Sequence, residues 1–449
     1  MSRRSFAQFS CSAVFVLLLT SSAFAQTQPS GDYTVDLVTV LRLAGAQNLD
    51  VQLARTAVDE ARGNYNSAIE RFLPTLIPSA NYLKHSGITQ NVTGNLIDVD
   101  KHSNANGLTL TAQIPIGDAI YSSLQARQLL TAADAAAAAQ TQDSILTAAQ
   151  QYFDLVRARA LVDVVSQAQT VSASYQQQLD EAVRIGIAFK GDALRVETQT
   201  QRLQLELRRA SEQQRLAGAK LAQTLHLDPL VALTPADSEP MPLAMAGLEA
   251  SLEKLVQQAL DNRPELERSR AQIAAAEQSR RGAVYGPLIP TLGAQAFGGE
   301  LNGGVGSTND PGGSTRDYAV GLSWRIGPGG LFDLGRIKSS NARLSAAEIS
   351  NDKLRNEIAR QVVEGHTHVQ SLFAQLRIAR LNLTSAAETL RLTRERKQLG
   401  VGTVLEDIQA QQELLKARTE YVNVVTELNQ AQYSLTRGVG GSLGTSINH

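Results

Sequence analysis

The stretch AQQELLKARTEYVNVVTELNQAQYSL, residues 410–435, decides the fold. Its apolar positions alternate in steps of four and three residues, and they are Ala410, Leu414, Ala417, Tyr421, Val424, Leu428, Ala431 and Leu435. This heptad spacing predicts a long helix in a left-handed supercoil. A second apolar seam at Ile408, Leu415 and Val422 runs beside the first. We therefore expect a helix that packs against neighbours on two sides, as in a ring of helices, and exposes its remaining polar face to water.

The same pattern occurs 214 residues earlier, where Val196, Leu203, Ala210 and Ala217 also step by seven. Gly186 likewise recurs as Gly400, and the segment LPTL at 73–76 recurs as IPTL at 289–292. A duplication of this length points to a symmetric assembly rather than to an active site. It divides the chain into a first repeat at 26–226, a proline-containing linker at 227–247 and a second repeat at 248–437. The glycine- and serine-rich tail at 438–449 is expected to be mobile.

Residues 1–25 have the features of an export signal. Arg3 and Arg4 precede a short apolar run, and the segment Ala23-Phe24-Ala25 fits a small-residue cleavage site. The run is too short to span a bilayer. Cys11, the only cysteine, lies within this signal, so the mature chain has no disulfide and no lipid-bearing cysteine after the apolar run.

Composition bears on the partners of the chain and on the way in which it could cross a membrane. The formal net charge is −1 and becomes slightly more negative when the signal is removed, which gives no reason to expect nucleic acid as a partner. Beyond the signal, no apolar run reaches 18 residues. If the mature chain crosses a membrane, it must therefore do so as β-strands.

Each repeat is expected to open with a helix and continue through two strands into a long helical hairpin. The first opening helix should run from about residue 34 to 71, and the second from about 248, with a restart near Pro264. The segments GLTLTAQIPI (107–116) and DYAVGLSWRI (317–326) alternate apolar and polar residues, as transmembrane barrel strands do. A soluble sandwich alternates identically. Polar loops are expected at 87–106 and 301–316.

Four strands cannot close a barrel, and unpaired edges are not tolerated in lipid. An oligomer therefore follows if these strands span a membrane. The polar face, with Thr109, Thr111, Gln113 and Arg325, would then line the lumen.

The chain resembles the TolC-like outer-membrane efflux proteins, also called outer membrane factors. The resemblance rests on YTVDLVTVLRLAGAQNLDVQLA from Tyr33, LEKLVQQALDNRPELERSRAQIAAAE from Leu252, the strand entries FLPTL and LIPTL, and the segment that begins LGVGTVLEDIQAQQ at Leu399. It implies an α+β membrane protein and a homotrimer, in which four strands per chain form an outer-membrane β-barrel. That barrel would continue into a long periplasmic α-helical barrel built from the two repeats.

The resemblance also implies a function and its partners. The protein would be a passive exit duct in outer-membrane lipid, joined to a periplasmic adaptor and an inner-membrane efflux or secretion transporter. The tight turns would be adaptor-docking tips, formed by Gly186, Ala188, Phe189, Gly400, Gly402 and Thr403. Glu406 and Asp407, with Asp192 and Gln409, would form the periplasmic gate. The alternative for the three acids is a solvated first helical turn, where the helix dipole favours negative charge. Because Gln409 replaces the second of two carboxylates, a gate with two acidic rings is in doubt.

No enzymatic site is indicated by the sequence. His366 and His368 are two apart on a predicted helix and therefore face different directions, so no metal site is expected. The glycine pairs at 298–299 and 303–304 precede no helix, so no phosphate cradle and no cofactor are expected. Two classes of function remain: the outer-membrane duct and a soluble periplasmic coiled-coil adaptor or scaffold.

Overall fold

The computed structural model describes residues 33–245, 250–306, 310–399 and 401–443. The signal segment 1–25, the linker residues 246–249, Gly400 and the tail residues 444–449 lie outside this range. The elements of the first half are β1 (Tyr33–Val35), α1 (Leu37–Gln47), α2 (Leu49–Glu70), β2 (Thr75–Gln90), β3 (Leu96–Pro115), α3 (Ile116–Arg184) and α4 (Lys190–Thr224). Those of the second half are β4 (Leu233–Pro235), α5 (Leu252–Asn262), α6 (Pro264–Tyr285), β5 (Thr291–Val305), β6 (Asp310–Ser323), α7 (Leu334–Gln398) and α8 (Val404–Gly438). Thus the predicted order of elements recurs in both halves of a mostly helical chain.

Four long strands form one antiparallel sheet in the order β2-β3-β5-β6. Because opposed residues share a face, the register places Leu110 beside Leu76 and Ala296 on one face. Thr111 lies beside Thr75 and Gln295 on the other face. The predicted separation of an apolar face from a polar one is confirmed.

The loops between these strands are much shorter than predicted. Strand β2 pairs with β3 as far as Gln90 and Leu96, and β5 continues to Val305. The Gly-, Asn- and Asp-rich segments were expected to be loops because these residues are rare in strands. Backbone pairing holds them in two hairpins whose polar side chains are mostly exposed on both faces.

The expected first helix is instead two helices, broken at Asn48. The side-chain oxygen of Asn48 accepts hydrogen bonds from the backbone N–H groups of Asp50 (2.9 Å) and Val51 (3.3 Å), which caps α2. Its amide nitrogen donates to the Thr224 carbonyl at the end of α4, at 2.9 Å. The equivalent break before Pro264 was predicted, since proline fits the first position of a helix.

The long helices bury their heptad positions, with Val196, Leu203, Ala417, Val424 and Leu428 at most 3% exposed. Among the described residues, no helix is both long and apolar enough to cross a bilayer. Helix α3 contacts α4 on one side and α8 on another, while α7 packs on α8. The two helical hairpins, α3/α4 and α7/α8, therefore lie against each other chiefly through α3 and α8.

The linker between the repeats is ordered where the structure describes it. Its strand β4 pairs with β1 in parallel. Further along, Asn429 bonds the Leu243 N–H (3.0 Å) and the Met241 carbonyl (2.8 Å). Gln432 bonds the Met245 N–H and the Leu243 carbonyl. These two side-chain amides, on the buried side of α8, make the hydrogen bonds to the backbone of residues 241–245 that a neighbouring strand would otherwise make. Val439 and Leu443, just beyond α8, are also buried.

Candidate functional site: the turns of the two helical hairpins

The first turn, between α3 and α4, closes in the way glycine favours. Gly186 has a φ of +83°, and the Ile187 N–H bonds the Ala182 carbonyl at 2.9 Å. This is the left-handed cap that glycine favours at a helix C-terminus. Phe189 is exposed, and its ring lies against the Cα of Gly191, where a Cβ would come within 2.4 Å of the ring.

The second turn, between α7 and α8, repeats this closure. The Val401 N–H bonds the Arg396 carbonyl at 3.1 Å, again across six residues. The Thr403 hydroxyl accepts the Glu406 N–H at 3.3 Å and thereby caps α8. The backbone of Gly402 lies against Lys397, where a Cβ would be 3.0 Å from the Lys397 Cα. Gly400, its predicted companion, lies outside the described residues.

Both turns expose more apolar surface than the predicted residues alone provide. Ile185 and Ile187 are 58% and 77% exposed, and Leu399 and Val401 are 80% and 67% exposed. Ala188, in contrast, is half-buried and packs on the core between the hairpins. The alternation of apolar residues with glycine in IGIAF and LGVG is the signal that could have identified the four additional residues.

The predicted gate residues do not share one environment. Gln409 is exposed, whereas Asp407 is buried with 3% exposure. Glu406 is half-buried, 3.7 Å from the guanidinium of Arg396. Asp192 lies 3.1 Å from Arg195 on its own helix. Each of these carboxylates therefore has a cation nearby, rather than standing alone.

Asp407 lies at the centre of a group that we call the Asp407 cluster: Asp407, Arg394, Lys397, Tyr175 and Gln411. Its carboxylate lies 3.8 Å from the Arg394 guanidinium and 3.8 Å from the Lys397 ammonium. Gln411 donates to Asp407 Oδ2 at 2.9 Å, while Oδ1 has no hydrogen bond among the described residues. The Lys397 ammonium lies 3.4 Å from the centre of the Tyr175 ring, within the range of a cation–π interaction.

Burial dominates the electrostatics of this cluster. It raises the pKa of the Tyr175 hydroxyl to about 12, with further contributions from the negative charges of Asp407 and Asp192. Burial also lowers the pKa of Lys397, against the opposing charge of Asp407 and with the help of Arg394. Tyr175 is on α3 and the other four residues are on α7 and α8, so the cluster joins the two helical hairpins just above their turns.

Sequence reasoning missed Tyr175, Arg394 and Lys397. The basic run RLTRERKQ before the turn was a usable signal, because it faces the acidic pair Glu406-Asp407 across only a few residues. Nothing local in the sequence could identify Tyr175, which reaches the cluster from the other repeat.

At the sheet, Thr109, Thr111 and Gln113 share one face, opposite Phe297, Gln295 and Gly293 of β5. Thr109 is 3.5 Å from the Ser79 hydroxyl on the neighbouring strand. Arg325 lies beyond the end of β6, in the turn toward α7, where its carbonyl accepts the Leu331 N–H at 2.9 Å. Within the described residues, no group of three or more His, Cys, Asp or Glu side chains could hold a metal ion.

Comparisons with known proteins agree with this architecture. The family model described as "Outer membrane efflux protein" matches residues 255–441. Protein CyaE of Bordetella pertussis is 26% identical over 350 residues, 77% of this chain and 72% of that protein. Outer membrane efflux protein BepC of Brucella suis is 24% identical over 158 residues, 35% of this chain and 34% of that protein.

Solved structures share the fold over nearly the whole chain. The outer membrane protein VceC of Vibrio cholerae has a TM-score of 0.75 at 19% identity, covering 90% of this chain and 96% of that one. The CmeC outer membrane channel of Campylobacter jejuni has a TM-score of 0.76 at 15% identity, covering 93% and 90%. The duplicated helices, the four-stranded sheet and these matches agree: residues 255–441 are similar to the outer membrane efflux protein family, and the chain shares the fold of these outer membrane channels.

Proposed function

We propose that this protein is an outer-membrane exit duct, in which three copies form a 12-stranded barrel continued by a periplasmic tunnel of helices. The family is one of channels rather than enzymes, and the duct would carry cargo passively. It would serve a tripartite efflux pump or a type I secretion system, with a periplasmic adaptor and an inner-membrane transporter as partners. The signal at 1–25 would direct it there, with cleavage near Ala25.

The open four-stranded sheet is the observation that carries this proposal. Strands β2 and β6 each pair on one side only, so two rows of backbone donors and acceptors have no partner among the described residues. The face that includes Val320 (79% exposed) and Leu322 (58%) is apolar and uncovered. Pairing β2 with β6 of another copy would satisfy both edges, and lipid would cover the apolar face.

Strand lengths also support a membrane location. Strands β5 and β6 contain 15 and 14 residues, which exceeds the roughly 9–11 residues that a tilted strand needs to cross a bilayer. Helices α3 and α7, of 69 and 65 residues, each extend about 100 Å from the sheet at 1.5 Å per residue. A duct that spans the periplasm needs this combination of elements.

The hairpin turns are proposed as the contact surface for the adaptor. Gly186, Phe189, Gly402 and Thr403, with Gly400, would present a small apolar tip, and the exposed Ile187 would enlarge it. Glu406, Asp407, Asp192 and Gln409 lie immediately above these turns, where a threefold axis would bring three copies together. This placement supports a gate at the periplasmic end.

The competing function is a soluble periplasmic coiled-coil adaptor or scaffold, and fractionation of cells separates the two. A duct should be recovered with outer membranes, as an oligomer that migrates as a trimer in detergent until it is heated. Purified protein should also produce discrete conductance steps in planar bilayers. Recovery in the soluble periplasm as a protein whose migration does not change on heating would refute the duct and favour the adaptor.

Replacing Glu406 with glutamine tests the gate. Three Glu406 side chains near a threefold axis would attract multivalent cations, although each is partly balanced by Arg396. Removing their charge should weaken block by a trivalent cation on the order of a few-fold in bilayer recordings. Glu413→Gln, which changes an exposed carboxylate two turns along α8, is the matched control and should leave the block unchanged. Equal block in Glu406→Gln and the unmodified protein would remove Glu406 from the gate.

A further inference from the structure

A groove runs between the two helical hairpins, immediately above the Asp407 cluster. Its walls come from α3 and α4 on one side and from α7 and α8 on the other. The narrow upper part has a volume of about 200 Å³ and is mainly apolar. The wider lower part, of about 640 Å³, reaches Tyr175 and Lys397. Val171, Arg394 and Gln411 line both parts, so they form one continuous inter-hairpin groove.

The upper part of the inter-hairpin groove would accept an alkyl chain. Its apolar lining consists of Val164, Val171, Leu203, Leu390, Leu414 and Leu415. Leu203 and Leu390 are buried, whereas Val171 is 41% exposed. The upper part is therefore closed at its base and open to solvent on one side. An α-helix is about 10–12 Å across with its side chains, too wide for a space of this volume. A single extended chain is the occupant that fits.

The inter-hairpin groove also carries more positive than negative charge. Arg394, Lys397 and Arg418 line it, and Asp407 is its only carboxylate among the described residues. Arg418 lines the upper part only, where it donates to the side-chain oxygen of Gln167 at 3.0 Å. In the lower part, Arg394 and Lys397 share the single carboxylate of Asp407, each at 3.8 Å, which is longer than a charge-assisted hydrogen bond. A second anion in the lower part would therefore be stabilised by these two cations.

We propose that the inter-hairpin groove binds a single-chain amphipathic anion, with its carboxylate or sulfate group near Arg394 and Lys397 in the lower part and its alkyl chain along Leu390 and Leu415 in the upper part. Such a ligand would contact α3, α7 and α8 at once and hold the two hairpins together. This proposal goes beyond the proposed transport function, because it depends on the groove within one chain and not on a conducting pore.

Decanoate is the probe, used with the full-length protein in nanodiscs of zwitterionic lipid. Titration calorimetry, corrected with empty nanodiscs, should give saturable binding of decanoate and none of decyltrimethylammonium. A diazirine-bearing decanoate should label peptides from 164–171 and 411–418, and unlabelled decanoate should compete. Labelling confined to the strands would mean that the decanoate probe had only dissolved in the bilayer, and it would overturn the proposal.

Variants test the charge and the chain separately. Arg394→Gln should weaken decanoate binding by about tenfold or more, whereas Arg394→Lys should retain most of it. Arg380→Gln changes an exposed arginine of α7 outside the groove and is the matched control. Leu415→Asn should weaken decanoate more than it weakens octanoate. Unchanged affinity in Arg394→Gln would refute the site, while trimers and conductance steps in the same preparations would leave the proposed function intact.

Discussion

Replacing Asp407 with alanine is expected to raise the mean conductance of the protein in planar bilayers several-fold. Asp407 is the buried carboxylate that faces both Arg394 and Lys397, while Tyr175 fixes the Lys397 ammonium from the other hairpin. Removing the Asp407 carboxylate leaves the Arg394 and Lys397 cations close together beside α3. Because the side chains of Arg394 and Lys397 are 46% and 32% exposed, water offsets part of the loss. We expect a cost of about 1–2 kcal/mol per chain, enough to change the ratio between the joined and the separated arrangement of the hairpins in each chain about 5–30-fold.

Conservative changes distinguish the charge from the packing. Asp407→Asn keeps the size of the side chain and can retain a hydrogen bond to Gln411, but it lacks the charge, so it should also open the duct. Tyr175→Phe keeps the ring under Lys397 and should have little effect. Glu388→Gln removes an exposed partner of Arg391 on α7 and serves as the control. If Asp407→Ala recordings match those of the unmodified protein, the cluster does not hold the hairpins together.

The fold was largely predictable because its signals are periodic and local. Heptads such as Val196 and Leu203 indicated which helix faces are buried, and two-residue alternation separated Leu110 from Thr111 across the sheet. The left-handed cap at Gly186 followed from glycine alone. Each of these features depends on residues that are neighbours in sequence.

The residues that were missed depend on contacts between the repeats. Tyr175 meets Lys397 from the other half of the chain, and Asn48 reaches the end of α4 as well as capping α2. Asn429 and Gln432 are polar residues of α8, yet both are buried against the linker. A polar residue on a helix does not reveal whether its partner is water or a distant backbone segment, so these contacts needed the structure.

Replacing Arg437 with alanine is expected to destabilise the protein by about 1–3 kcal/mol, because it removes a buried guanidinium from an ion triad in which Glu265 is partly buried and Asp143 is about half exposed. The Arg437 side chain is only 4% exposed and lies 2.9 Å from Asp143 on α3 and 2.6 Å from Glu265 on α6. Arg263, also buried, donates to the Gly438 carbonyl at 2.7 Å just beyond. The triad thus joins the end of the second repeat to a helix of the first, and its loss leaves two carboxylates without their shared partner.

Lowering the pH should also destabilise the protein, because it protonates Glu265. Burial alone would raise the pKa of Glu265, but the hydrogen bond and charge of Arg437, with the charge of Arg263, outweigh it and lower the pKa below its ordinary value of 4.5. A carboxyl group with a depressed folded-state pKa stabilises the fold above its unfolded-state pKa and loses this contribution as the pH falls through the folded-state value. The contribution should therefore be complete at pH 7 and decline below about pH 4.5. Glu265→Gln should be less stable at pH 7 and should lack this component of the acid sensitivity.

The rate at which the proposed trimer dissociates on heating in detergent measures both effects, since large assemblies commonly unfold irreversibly. Arg360→Ala is the matched control, because Arg360 also lies between two carboxylates, Glu357 and Glu364, but on the exposed face of a single helix. Its removal should barely change the dissociation rate, since exposed ion pairs contribute little. If Arg437→Ala and Arg360→Ala dissociate at the same rate, burial does not set the strength of the triad. If Arg437→Ala instead dissociates faster at pH 7 and the difference shrinks toward pH 4, the junction between the repeats depends on the ionised state of Glu265.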